Sequence, residues 1–264
     1  MPEPLPSSPP PSADGLTALV ALRQLPDPAH PARLRLEGGG VETGDGALVL
    51  NPFDEIALEQ AVQWRESGAV ARVIAATVGE ASWEGGLRTA LALGADQGVR
   101  VVVPEGMEPL NIARLLAALA RRLGVDLLLG GRQGADLDQR QTLAMTAALL
   151  GWGFLPQVAA LRLEPGEVHA GCSLERGVEW RAARLPTVIS CDLRLVQPRY
   201  ASLPAILKAR RHPLIAFTPF ELGVALSQTL ETLGFREPVS RPPGIRVNSA
   251  AEMVAALRQR GALP

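Results

Sequence analysis

Between residues 17 and 150 short apolar runs alternate with helical patterns, and that alternation constrains the fold more than any other feature of the chain. "TALVALR" (17–23), "GALVLNP" (46–52), "ARVIAATVG", "GVRVVVP" and "VDLLLGG" read as strands. "NPFDEIALEQAVQWRESG", "SWEGGLRTALALGAD", "EPLNIARLLAALARRLG" and "DLDQRQTLAMTAALLGW" read as helices. Strands alternating with helices predict a mostly parallel sheet with helices on both faces. The helix from Asn51 carries every expected start signal. Asn51 is placed to cap it, Pro52 suits its first position, and Asp54 and Glu55 lie in the positive first turn. Phe53, Ile56, Ala57, Ala61 and Trp64 share one face, and Gly68 ends the helix.

After Trp152 the period changes to two. "LPQVAALRLEPGEVHAGCSLERGVEWRAARLPTVISCDLRL" alternates around "EPG" and "ERG" turns, which predicts antiparallel hairpins extending the same sheet. From "HPLIAFTPFELGVA" onward the chain reads as irregular, broken by Pro213, Pro219, Pro238, Pro242 and Pro243. A last amphipathic helix, "NSAAEMVAALRQRG", is capped by Asn248 or Ser249. The expected organisation is a disordered Pro/Ser-rich tail over 1–15, an α/β domain over 16–212, and a C-terminal arm and helix over 213–264 that pack on another subunit.

Composition removes several functions. The net charge of −1 and the lack of a basic face give no reason to expect nucleic acid. The apolar runs are too short to span a bilayer, and the amino terminus has no secretory pattern, so a cytoplasmic protein without membrane insertion is expected. Cys172 and Cys191 lack metal-ligand spacing and read as small buried residues. His30, His169 and His212 stand apart, so no metal site is expected. Lys208 is the only lysine and is followed by Ala209, which excludes a Walker phosphate loop. No nucleophile–base arrangement of the kind acyl transfer needs is present, so no catalytic residues are assigned.

Three segments follow predicted strands and are expected at one end of the sheet: "NPFDE" (51–55), "VGEAS" (78–82) and "GGRQGADLDQRQT" (130–142). Ligands of such sheets bind beyond the carboxyl ends of the strands, where helix N–H groups favour an anion. The pattern indicates a nucleotide site, with ordinary strand-to-helix turns as the plain alternative.

"VALRQLPD", "NPFDEIALEQAV", "LRTALALGAD", "QTLAMTAALLGW" and "LPTVISCDLRLVQPRYASLPAILKAR" occur in the order in which they occur in the beta subunits of electron transfer flavoproteins. From about Thr17 to Ile215 the chain resembles that family. The resemblance implies a Rossmann-like nucleotide-binding fold with an antiparallel hairpin extension. It implies a heterodimer with an alpha subunit, FAD at or near the interface, and a structural AMP on the beta subunit. The implied role is electron carriage from flavin dehydrogenases, serving acyl-CoA, amine or methylated-glycine oxidation, to an acceptor such as a quinone oxidoreductase. Two alternatives stay open: an electron-bifurcating beta subunit with its own FAD, and a non-redox nucleotide-binding scaffold.

By position, the resemblance assigns the nucleotide site to Ala21, Asn51, Pro52, Phe53, Asp54, Val78, Gly131, Arg132, Gln133, Asp136, Asp138, Arg140, Gln141 and Thr142. It assigns partner recognition to residues 199–211, with Leu203 as the anchor and Lys208, Arg210 and Arg211 as steering charges. Three positions depart from the family pattern. Leu143 stands where many members have a glycine, beside Arg140, and is expected to obstruct a phosphate. Ser173 replaces a glutamate that helps orient the flavin domain in some members, with Glu175 expected on the same strand face as a substitute. Pro28 replaces a tyrosine near the flavin ring.

Overall fold

The structure, a computed structural model, describes residues 15–27, 33–35, 40–42, 48–104, 106–231, 233–234, 239–240 and 243–263. The Pro/Ser tail up to residue 14, Pro28, His30, Pro238 and Pro242 lie outside the described residues. In chain order the elements are β1 (Thr17–Leu22), β2 (Gln24–Pro26), β3 (Arg33–Arg35), β4 (Gly40–Glu42), β5 (Leu48–Leu50) and α1 (Pro52–Glu66). There follow β6 (Arg72–Gly79), a 3-10 turn (Ala81–Trp83), α2 (Glu84–Leu93), β7 (Gln97–Val102), α3 (Pro109–Leu123), β8 (Leu127–Gly131) and α4 (Thr142–Leu150). The rest are β9 (Gly153–Glu164), β10 (Glu167–Leu174), β11 (Gly177–Arg184), β12 (Thr187–Cys191), α5 (Leu203–Arg211), β13 (Leu214–Phe217) and α6 (Ala250–Gln259).

Nine strands form one sheet in the order β11-β10-β9-β12-β8-β1-β6-β7-β13. From β9 to β13 every neighbouring pair is parallel; β10 and β11 add antiparallel hairpins at one edge. Successive side chains of a strand point to opposite faces, and β1 divides its residues accordingly. Ala18, Val20 and Leu22 pack with Ile56 and Ala57 of α1 and Leu87 and Ala90 of α2. Leu19 packs on the other face with Leu115 and Leu119 of α3 and Ala147 and Leu150 of α4. The fold class expected from the alternating pattern is therefore the one observed.

Four local expectations are corrected. β5 is a strand, but it pairs antiparallel with β2 outside the main sheet. β12 does not continue the hairpins; it lies between β8 and β9, parallel to both. Its five residues are all buried, as a strand covered on both faces requires, whereas β11 is exposed along most of its length and takes the edge. Leu214–Phe217, read as irregular, forms β13 on β7; a Cβ on Gly98 would lie 2.5 Å from Leu214 Cδ2, so the glycine leaves room for that leucine. α4 begins at Thr142 and not near residue 139; Asp138, which precedes that stretch, adopts a left-handed backbone (φ 51°) outside any helix.

Residues 213–231 stay with the α/β unit. Asn111 Nδ2 of α3 donates to Ser227 O at 2.7 Å, and Glu108 accepts from the N–H of Leu230 at 2.7 Å. The described residues within 34–42 and 233–264 form a second compact unit that holds α6. Ser249 caps α6 by accepting from Glu252 N at 3.2 Å, while Glu252 reaches back to Asn248 N at 2.7 Å. No residue of α6 is buried. No described helix is long and apolar enough to cross a membrane.

Candidate functional site

The first turn of α1 gathers three distant segments at the carboxyl end of the sheet. Asn51 precedes the helix, but its side chain makes no cap. Its Nδ2 donates to Gln133 O at 2.9 Å, and its Oδ1 accepts from Ala135 N at 3.2 Å, so it holds the loop after β8. Asp54 is 5% exposed and accepts from Arg23 N at 2.8 Å and Gly131 N at 2.7 Å. It thereby joins the ends of β1 and β8 to α1. Burial pushes the Asp54 carboxyl up to about 7, against the N–H groups of Gly131 and Arg23, the Asn51 amide and the Arg23 charge, which all lower it.

That shift has a direction in pH. Above its ordinary value of 3.8 and below about 7, the folded chain retains a proton that the unfolded chain has lost. The stability from this group is complete below about pH 4 and is lost as pH rises to about 7. Asp54→Asn should therefore make stability measured by denaturant titration fall less steeply over that interval. An unchanged slope would mean that Asp54 titrates as an ordinary carboxyl.

The loop after β8 is internally tied. Arg23 Nη2 meets Asp136 Oδ2 at 2.5 Å, and Gln133 donates to Asp138. Arg132 Nη1 binds Asp192 Oδ2 at 2.8 Å, with its guanidinium 5.3 Å from the centre of the Phe53 ring. Burial raises the Asp192 carboxyl, but the Arg194 guanidinium and N–H and the charge of Arg132 outweigh it and hold the group below its usual range. Ala21 lies between Ala76 of β6 and Gly130 of β8, and Val78 is buried at the end of β6. Pro52 is half-buried at the start of α1.

The amino end of α4 is open. No side chain caps it, its first backbone bond is Met145 N to Gln141 O at 2.9 Å, and Gln141 is exposed with Thr142 half-buried. Its leading N–H groups have no partner within the helix, which suits an anion. Arg140 is exposed and precedes the helix. Leu143 is buried in the core beside Leu128 and Val188, with Cδ1 3.1 Å from where a Cβ on Gly130 would stand. It seals the floor over Gly130 and leaves Gln141 and Thr142 at the helix end. These groups fit the phosphate of a nucleotide.

A second candidate surface is α5. Ser202 caps it by accepting from Ala205 N at 3.4 Å, and Pro204 occupies the first turn. Ala209 is its only buried residue. Leu203 is 69% exposed, Leu207 53% and Tyr200 99%. Leu203 and Leu207, four apart on the helix, form an apolar stripe, and Tyr200 is exposed in the segment just before it. Lys208, Arg210 and Arg211 follow in the last turn, where the helix dipole favours cations. Tyr200 and Leu207 lie outside the residues singled out from the sequence; Leu207 was readable from its spacing of four from Leu203.

On the hairpin extension, Ser173 is buried and accepts from Arg194 Nη2 at 2.6 Å. Glu175 is not on its strand face: β10 ends at Leu174, and Glu175 lies in the turn before β11. Cys172 and Cys191 are buried, free thiols, pushed up by burial. His169, isolated in sequence, meets Glu167 at 2.6 Å and Glu164 at 3.6 Å on this hairpin, a partly exposed cluster of a kind common without a metal.

A family model described as an electron transfer flavoprotein domain matches residues 40–221. The electron transfer flavoprotein subunit beta of Pongo abelii is 39% identical over 250 residues, covering 93% of this chain and 98% of the relative. That of Bradyrhizobium diazoefficiens is 35% identical over 243 residues, covering 92% and 98%. A mitochondrial subunit beta from Oryza sativa subsp. japonica is 39% identical over 246 residues, covering 91% and 96%.

Proposed function

Because the chain belongs to the family of electron transfer flavoprotein beta subunits, we propose that it is the beta half of a heterodimer that takes electrons from flavin dehydrogenases and delivers them to an acceptor such as a quinone oxidoreductase. The observation that carries this reading is the stripe on α5: Leu203 is held out on a capped helix that buries only Ala209. A short apolar stripe beside basic residues suits a contact that forms and dissolves at each encounter. The basic last turn steers an acidic surface and raises the association rate more than the affinity. FAD, held mainly by the alpha subunit, supplies the redox chemistry. This chain positions the partner and closes one side of the heterodimer in a cytoplasmic setting.

A structural AMP is assigned to the carboxyl end of the sheet, with its phosphate at the leading N–H groups of α4 and its sugar and base near Ala21, Val78 and the Gly131–Asp138 loop. Residues 233–264, with an α6 that buries nothing of its own, suit the alpha subunit as a partner surface. Co-expression with an alpha subunit, acid release of bound nucleotides and chromatography should give one FAD and one AMP per heterodimer. Two FAD would favour the bifurcating reading. A fully stable heterodimer without AMP would refute the nucleotide assignment. Thr142→Asp places a negative charge at the phosphate position and should reduce bound AMP and assembly while leaving the flavin potential unchanged. A shifted potential with normal AMP content would place that residue elsewhere in the mechanism.

A further inference from the structure

We propose that Arg199 is a positioning residue for partner docking: it bolts the segment leading into α5 onto α1, so that Leu203 meets a partner in a fixed pose. The inference rests on the reading of α5 as the docking element. α5 has nine residues, and an isolated helix of that length is marginal in water. Its apolar stripe faces outward, so packing does little to hold it down. Polar clamps at its two ends do that work.

At the amino side, Arg199 uses its whole fork. Nε and Nη2 donate to the two oxygens of Glu59 at 2.8 and 3.0 Å, and Nη1 and Nη2 to those of Glu66 at 2.6 and 2.8 Å. Its backbone N–H adds a bond to Glu59 at 3.3 Å. Glu59 is 6% exposed. Burial raises its carboxyl, but the bonds from Arg199 and Gln63 outweigh this and keep it ionised below its usual range. At the carboxyl side, Arg88 of α2 donates to Ala209 O at 2.9 Å and to His212 O, and is itself held by Glu84 Oε1 at 2.6 Å. A planar guanidinium fixes orientation as well as distance, which a lysine in its place cannot do. Both clamps lie off the apolar stripe and leave it free. A docking element ordered before contact loses less freedom on binding.

The test uses the heterodimer, with whichever of an acyl-CoA, amine or methylated-glycine dehydrogenase reduces the wild type fastest as donor. Arg199→Lys keeps the charge and loses the fork; Glu66→Gln weakens the clamp at an exposed carboxylate. Each should speed amide exchange in residues 203–211 and lower the second-order rate constant of flavin reduction by about threefold or more, with the rate at saturating carrier unchanged. In a Leu203→Ala background, adding Arg199→Lys should cost less than about twofold, because the two act through one contact. Equal losses in both backgrounds, or no faster exchange in α5, would overturn the inference. A slowed Leu203→Ala beside a wild-type rate for Arg199→Lys would sink it while sparing the docking reading. A normal rate for Leu203→Ala would sink the docking reading itself, and the role of Arg199 in docking with it.

Discussion

Leu203→Ala will slow electron transfer from a donor dehydrogenase about tenfold or more, a loss of about 1.4 kcal/mol in the encounter. Full burial of a leucine is worth about 1.5–3 kcal/mol, so a partner pocket that swallows most of this side chain accounts for the effect. The same substitution will leave the flavin spectrum and the melting temperature unchanged, because Leu203 is largely exposed in the chain alone and leaves no cavity when truncated. Stopped-flow reduction at several carrier concentrations separates the two. If the variant melts early while its folded fraction reacts at the normal rate, the leucine serves the fold and not the partner.

Gly131→Ala will destabilise the chain by about 3 kcal/mol, at the upper end of overpacking costs. A methyl group there would stand 2.5 Å from Phe53 Cβ, 2.6 Å from Asp54 Oδ1 and 2.8 Å from the Phe53 carbonyl carbon. Two of those neighbours are backbone or Cβ atoms on a buried helix, which cannot swing aside. The change also pushes away the carboxylate that joins β1, β8 and α1. The denaturant midpoint should fall with an unchanged slope. A midpoint within error of the wild type would show that α1 and β8 are more loosely joined than these distances imply.

Legibility in the sequence followed the range of the interaction. α1 was readable from "NPFDE" because proline, acidic residues and an apolar face act within a few positions. The parallel core was readable from runs such as "ARVIAATVG". What escaped was set by partners far along the chain. Asn51 looked like a cap, but Gln133 and Ala135, 82 and 84 residues away, compete for its side chain and win. Arg199 bears no local mark of its role, since Glu59 is 140 positions earlier. The sequence pattern puts the start of α4 near residue 139, but residues 139–141 stay outside the helix after the left-handed Asp138. Leu143 was readable as a bulky residue at the entry to α4, but its burial over Gly130 depends on the depth of the floor beneath it.

The place of β12 bears on the order in which the chain can assemble. β9, β10 and β11 form a meander of consecutive strands that can pair as soon as they exist. Among the described strands, their link to β8 is β12, which is made after all three. During synthesis the inner edge of β9 must therefore stay unpaired until residues 187–191 slide in beside it. A ribosome-stalled chain whose residues 187–191 are still inside the exit tunnel will display that edge as a chaperone target, and one long enough to release them will not.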